Sequence, residues 1–482
     1  MSSIDWVVLI GATAFIILYG IWKTRKSRNM DSYLMGGNST PWWTIGLSVM
    51  ATQASAITFL STPGQAFSDG MRFIQFYFGL PVAMVIICIF FLPRFYQWKV
   101  FTVYEYLEQR FDLRTRLLAA FLFLIQRGLG AGITIFAPAI IFSTILGWNL
   151  NLTIIIIGLV VTFYTCVGGT KAVSVTHKLQ MGIMMGGILT ALFMTIYLLP
   201  DGLGLGDSLR IAGASNKLNI LDFSFDLDNR YTFWSGITGG TFLALAYFGT
   251  DQSQAQRYLG GQNVHDSRMG LMFNAFFKIP MQFIILMAGV MVYVFYQFTP
   301  SPVFFNSQLE TKIMETPAAA EYQQLNDQWI AEQELRKNIY TGLVDQKEHK
   351  IVSPELQASI LREQEIRDET KTLISKTFPE EESNDKDYVF IRFILDYLPK
   401  GVIGLLIAAI LAAGMSSSSS ELNALASTTT IDFYKRLIRK EATDKHYVVI
   451  SKSFTVMWGL IAMGFASIGG LFENLIQFVN IV

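Results

Sequence analysis

Five consecutive serines, Ser416 to Ser420, sit inside an otherwise apolar segment, with Ala-Ala-Ile-Leu-Ala-Ala-Gly-Met (408–415) before them and Glu421 after. Hydroxyl groups at membrane depth find no solvent partners, so such a run faces a helix, a bundle interior or a watery cavity. Ala413, Ser416 and Ser417 stand three and four residues apart, which lets one backbone carbonyl and two hydroxyls share a helix face. Oxygens of this kind suit a hard cation such as sodium, and the run predicts an ion path. Residues 42–70 contain a second interruption, where Thr52-Gln53-Ala54-Ser55 breaks an apolar helix pattern with small and polar side chains. Unwinding there would free the carbonyls of Ala51 and Ala54 and expose the Ser55 hydroxyl to a cation. A closely packed continuous helix accounts for the same small residues equally well.

These residues need helices to hold them. The chain has 482 residues, of which 52% are hydrophobic and 15% charged, with a mean hydropathy of +0.39. Soluble domains carry about a quarter charged residues, so the composition predicts an all-α polytopic membrane protein embedded in a lipid bilayer. Thirty-seven basic and 37 acidic residues cancel, which gives no basis for nucleic-acid binding. Cys88 and Cys166 both lie in apolar segments and read as core.

Spanning runs are predicted near 6–22, 42–62, 73–93, 117–147, 151–168, 179–199, 232–250, 270–297, 395–425 and 447–470. The first lacks the flanks of a removable leader and is followed by Lys23, Arg25, Lys26 and Arg28. Those cations place Met1 outside, and alternate counting then puts Arg94, Lys99, Arg110, Arg114, Lys171, Arg268 and Lys435 inside. A last apolar run, 472–482, is too short to span and predicts an incomplete C-terminus. The same count divides the chain into membrane helices with the first half of the core (1–298), an extracytoplasmic polar insertion (299–390) and the rest of the core (391–482). Within the insertion, Leu325, Trp329, Leu335 and Ile339, then Leu356, Ile360 and Leu373, predict two amphipathic helices, the second starting at Ser353-Pro354. The insertion is expected to serve folding or partner contact and to be dispensable for the transport step.

The segments Ser-Ala-Ile-Thr-Phe-Leu-Ser-Thr-Pro-Gly (55–64), Thr-Val-Tyr-Glu-Tyr-Leu-Glu-Gln-Arg-Phe (102–111), Phe-Ala-Pro-Ala (136–139), Gly-Gly-Thr-Lys-Ala-Val (168–173) and Gly-Thr-Asp-Gln-Ser-Gln-Ala-Gln-Arg-Tyr (249–258), with the serine segment, together resemble the sodium/solute symporters. The resemblance covers nearly the whole chain except the external insertion. It implies inverted five-helix repeats with broken helices, an extra N-terminal helix, alternating access and transported sodium. It also implies a sodium site of carbonyls at Ala51, Ala54 and Ala413 with hydroxyls at Ser416 and Ser417. Where the family commonly has Thr-Asp, this chain has Thr176-His177, which places a second sodium in question; His177 itself reads as a cap or interfacial group at a helix start, with a pH-sensitive gate as the alternative.

The same resemblance aligns Lys278 and Gln477 with sugar-contacting positions and Tyr247 with an aromatic inner gate. Thr58 and Ala244 stand where the galactose carrier has amides, so the sugar pocket is only partly reproduced. Arg127 lies within a turn or two of a membrane boundary and must pair, snorkel or line water. An anionic solute would be one partner for it, and Phe-Ala-Pro-Ala resembles the iodide and monocarboxylate branch more than the sugar branch. Asp251 and Glu421 read as ion-pair members. The sequence therefore predicts a sodium-coupled importer of a small organic anion in the plasma membrane, or the inner membrane of a bacterium. The alternatives are a sugar symporter and a non-transporting sensor on the same scaffold. No Walker pattern, nucleophile with its base, or catalytic metal cluster marks it as an enzyme.

Overall fold

The N-terminal helix lies at the edge of an all-helical bundle in a computed structural model that describes residues 1–24, 29–37, 39–226, 229, 231–345, 354–379, 381 and 383–468. That helix, α1 (Ser3–Thr24), is lipid-facing over most of its surface: only 22% of its apolar window is buried. Its buried Asp5 nevertheless does structural work, accepting hydrogen bonds from the backbone N–H groups of Gly401 (2.6 Å) and Gly404 (3.1 Å). A carboxylate there satisfies donors that a helix N-terminus leaves unpaired.

After α2 (Met30–Leu34) comes the predicted broken helix, as α3 (Trp42–Gln53) and α4 (Ala56–Asp69). A 3₁₀ stretch (Gly70–Tyr77) leads into α5 (Gly79–Ile86), which passes through a π-helical turn (Ile87–Phe91) into α6 (Leu92–Gln97). The short α7 (Glu105–Arg110) precedes α8 (Leu113–Leu146), whose start is capped by Asp112 accepting from the Thr115 N–H at 2.7 Å. Two predicted spans, 151–168 and 179–199, prove to be limbs of one kinked element, α9 (Leu150–Tyr197). The kink is at Gly169, with φ +58°, and a Cβ there would stand 2.6 Å from the Tyr33 carbonyl oxygen, so both backbone and space demand glycine.

The second half opens, after α10 (Leu205–Ala214), with another interrupted helix: α11 (Phe233–Gly249) and α12 (Gln252–Leu259), the latter capped by Asp251. α13 (Val264–Phe298) follows, then α14 (Ser307–Ile313), α15 (Ala319–Asp345), α16 (Pro354–Thr377) and α17 (Lys386–Tyr397). α18 (Val402–Thr428), extended by a π-helical turn to Ile438, and α19 (Asp444–Ile468) complete the described bundle. The stretch from α18 to Ile438 is the centre of the molecule, with 83% of its apolar window buried. Before α11, the pairs α3/α4 and α5/α6, then α8 and the two limbs of α9, make five crossings, so the second broken helix enters from the opposite side and the two halves are inverted.

Among the described residues, seven helical stretches are long and apolar enough to cross a membrane, against ten predicted runs. The difference has local causes: α3 and α11 are shortened by their breaks to 12 and 17 residues, and the limbs of α9 merge. The predicted Arg25, Lys26, Arg28, Ser353, Gln477 and the 472–482 run lie outside the described residues.

The insertion forms the two amphipathic helices expected, α15 packed on α16. Tyr322, Leu325, Trp329, Arg336 and Tyr340 are its inward stripe on α15. Leu335 falls off that stripe and is exposed, which corrects its predicted core position. The insertion is also fastened to α4, the second half of the first broken helix. Lys386 pairs with Asp69 at 2.9 Å, Phe305 packs edge-on against Phe67 (5.4 Å between ring centres), and Gly64 lies directly under the Lys386 carbonyl, where any Cβ would clash.

Candidate functional site

The break in α3/α4 spans Ala54 (φ −84°, ψ 89°) and Ser55 (φ −83°, ψ 172°), both outside helical geometry. In an unbroken helix the Ser55 and Ala56 N–H groups would bond the carbonyls of Ala51 and Thr52; extension of the chain releases those two oxygens. The serine run of α18 meets them. Ser416 Oγ lies 2.8 Å from the Ala51 carbonyl and 2.8 Å from that of Ala413, and Ser417 Oγ donates to the Thr52 carbonyl at 3.1 Å. Ala51, Ala413, Ser416 and Ser417 are thus brought together, with Ala54 at the break itself. The Thr52 carbonyl is an addition the sequence reading missed, although the helix register alone points to it.

His177 departs from its predicted role as a cap or interfacial group. It is fully buried between α3 and α18, with Nδ1 2.8 Å from Ser48 Oγ and Nε2 3.2 Å from the Ser416 carbonyl. A carbonyl can only accept, so Nε2 donates to Ser416, while Nδ1 and the Ser48 hydroxyl share a second hydrogen bond. Ser420 Oγ extends this network to Thr52 Oγ1 at 2.9 Å. The ring ties together the same two helices whose oxygens converge beside it.

Ser417 also reaches the wall of a central cavity of about 490 Å³, which is lined by Gln53, Ser55, Tyr77, Arg127, Tyr247 and Glu421 among others. Arg127 lines it, as its sequence position suggested, but it is not free. Nη1 donates to Glu421 Oε1 at 3.0 Å, Nη2 pairs with Asp251, and the guanidinium lies 5.5 Å from the centre of the Tyr247 ring. Glu421 is held in turn by Thr134, whose hydroxyl donates to Oε2 at 2.7 Å and accepts from Ser418 at 3.1 Å. The cluster's formal charge is −1, from one guanidinium and two carboxylates, so of the roles its sequence position left open Arg127 combines pairing with lining the cavity.

Lys278 is fully buried on α13, outside the cavity lining. Its Nζ lies 5.7 Å from the centre of the Tyr77 ring, and the atom has no hydrogen-bond partner among the described residues. Thr58 sits in the first turn of α4, also outside the lining, while Tyr247 and Ala244 belong to it. At the opposite end of α18, Arg116 bonds Asp432 and Glu108, each at 2.7 Å, and joins α7, α8 and the π-helical turn. This network absorbs the acidic residues of the 102–111 motif into structure.

The profile of the sodium:solute symporter family matches residues 33–318 and 377–481. The chain belongs to this family. Its unmatched interval, 319–376, coincides with the α15–α16 hairpin, so that part of the insertion is an elaboration of the symporter framework. The chain is similar to sodium-coupled monocarboxylate transporter 1 of Xenopus laevis, 28% identical over 98% of this chain and 63% of that protein. It is also similar to the human sodium/iodide cotransporter, 31% identical over 56% of this chain and 41% of that protein, and to the sodium/glucose cotransporter of Vibrio parahaemolyticus, 25% identical over 100% and 79%. The chain spans less than two thirds of the monocarboxylate and iodide relatives' length. Among solved structures, the substrate-bound outward-open state of a Na⁺-coupled sialic acid symporter superposes with a TM-score of 0.73 at 23% identity, over 97% of this chain and 82% of the other. That likeness establishes the inverted-repeat fold.

Proposed function

We propose that this multi-pass membrane protein is a sodium-coupled symporter that imports a small organic anion by alternating access. The convergence of Ser416 Oγ with the Ala51 and Ala413 carbonyls carries the reading. A hydroxyl has one proton, so it cannot satisfy both carbonyls fully, and the spare oxygen lone pairs favour a small cation. Ala51, Ala54, Ala413, Ser416 and Ser417 hold the sodium, and Ser417 faces both this cluster and the cavity. The family membership and the names of the relatives support sodium as the co-transported ion. A membrane potential adds about 2.3 kcal/mol per charge per 100 mV to inward sodium movement.

In this reading the solute's carboxylate exchanges for Glu421 on Arg127, Tyr247 closes the inner side of the cavity, and Lys278 behind Tyr77 is a second donor in reserve. Thr58, which lies outside the cavity lining, is a further candidate contact that rests on the resemblance alone. The anionic class draws support from the monocarboxylate and iodide relatives. A neutral sugar is the second reading, favoured by the fact that Arg127 already has two carboxylates. Uptake into proteoliposomes, with and without an inward sodium gradient, compares radiolabelled monocarboxylates with sugars. Sodium-dependent accumulation of carboxylates alone is expected. Accumulation of sugars alone selects the second reading, and gradient-independent uptake of either class rejects sodium coupling.

A further inference from the structure

On the outer surface of the bundle, the π-helical turn at Ile87–Phe91 directs Ile89 and Phe90 outward, 56% and 53% exposed. Such turns interrupt helix regularity and recur at functional positions. Behind this one lies a cavity of about 360 Å³, within the range of small-molecule pockets, walled by Phe91, Phe95, Leu107 and Ala119. Leu118 and Leu122 on α8, beside Ala119, are largely exposed, so the groove opens where a membrane protein meets acyl chains.

Two features give the groove a chemical identity. Arg94 lines it and is exposed; its guanidinium bonds the Phe90 carbonyl of its own helix, and among the described residues it has no carboxylate partner. By the charge count along the sequence, Arg94 falls with Lys99, Arg110 and Arg114 on the side that the positive-inside rule assigns to the cytoplasm. At its other side the groove reaches Gly249 and Thr250, where α11 ends. The Thr250 carbonyl accepts from Tyr104 Oη at 3.1 Å, and the next residue, Asp251, pairs with Arg127 at the central cavity. The groove is therefore an apolar slot with an open cation at the interface and the second helix break at its back.

We propose that this groove binds an anionic phospholipid of the cytoplasmic leaflet, with one acyl chain between the π-helical turn and α8 and the phosphate on Arg94, and that the bound lipid holds the α11–α12 break in place. Charge complementarity selects the lipid: the chain supplies the apolar match and the headgroup neutralises a guanidinium that has no carboxylate. A soluble anion would satisfy Arg94 alone and would ignore the slot.

The test uses the full chain in nanodiscs of phosphatidylcholine with or without phosphatidylglycerol. Native mass spectrometry counts retained lipid, and hydrogen exchange follows residues 249–259. Wild-type protein is expected to retain phosphatidylglycerol selectively and to exchange more slowly at the break when it is present. Arg94→Gln should reduce selective retention about tenfold, and Ala119→Leu, which fills the slot, should reduce retention of both lipids. Millimolar inorganic phosphate should not displace the lipid. Unchanged retention and exchange in both folded variants would overturn the site, as would displacement by phosphate or exchange at 249–259 that ignores the lipid.

Discussion

The Arg127 guanidinium donates to Glu421 Oε1 at 3.0 Å across the wall of the central cavity, joining two residues 294 positions apart in the chain. Glu421 lies four residues beyond Ser417, so the helix that offers hydroxyls to the first break also presents the carboxylate that occupies the cavity's guanidinium. If solute and Glu421 compete for Arg127, then Glu421→Gln removes the competitor while Asp251 still anchors the arginine. Affinity for an anionic solute should rise by up to about tenfold, equivalent to about 1.4 kcal/mol, with that for a sugar unchanged. Binding isotherms for a carboxylate and an uncharged analogue decide it; equal effects on both would remove Arg127 from solute recognition.

Sodium activation should be more sensitive to Ser416 than to Ser417, because Ser416 Oγ touches two carbonyls and Ser417 Oγ one. Ser416→Ala should raise the half-saturating sodium concentration about tenfold, and Ser417→Ala should raise it less. Each change deletes a polar contact in a site with little water, typically worth about 1–3 kcal/mol. Sodium-dependence curves on reconstituted protein test the order; unchanged curves in both variants would reject the proposed coordination.

Much of this arrangement is readable from the sequence because small and polar residues in apolar helices are unusual. The break near Ala54 and the serine run are both such departures, and each forecast the position of its element. His177 was misplaced because the second limb of α9 begins at the Gly169 kink, earlier than its apolar run suggests. Eight residues into that limb, the ring lies about 12 Å along the helix from the kink and inside the bundle. The pairing of Arg127 with both Asp251 and Glu421 was not legible, since each side chain alone is compatible with several partners and only the tertiary crossing of α8, α12 and α18 selects these two. The insertion's helices were legible from periodicity; its fastening to α4 depends on Lys386, Phe305 and Gly64 and carries no periodic signal.

That fastening bears on the expected dispensability of 299–390. Arg367 reaches out of the α15–α16 hairpin to Asp385 at 2.6 Å and lies over the rings of Phe67 and Phe305. Asp385 is buried and also accepts from the Phe305 N–H at 2.9 Å. Arg367→Met would leave that carboxylate uncompensated and should destabilise the hairpin and its junction with α4 by about 3–5 kcal/mol. Limited proteolysis of the hairpin in nanodiscs should show it, with the double variant Arg367→Met, Asp385→Asn partly restoring protection. Wild-type resistance in the single variant would show that the hairpin does not depend on this pair.

Asp387 gives the same seam a pH dependence. Burial raises its carboxyl above the ordinary 3.8, with Asp385 acting in the same direction, against a hydrogen bond from Ser61 and the charge of Lys386. A raised carboxyl pKa means that the folded state binds the proton more tightly than the unfolded chain. Its stabilising contribution is fully present below 3.8 and is lost as pH rises through the folded value. Wild-type protein should therefore lose some stability over the interval above 3.8, and Asp387→Asn, an uncharged isostere, should be the more stable protein at neutral pH. The variant's thermal midpoint in nanodiscs, followed from about pH 4 to about pH 8, should lack that part of the wild-type slope. Parallel curves for the two proteins across the interval would show that Asp387 contributes no pH dependence, and a variant less stable at neutral pH would show that its charge stabilises the seam; either outcome rejects the prediction.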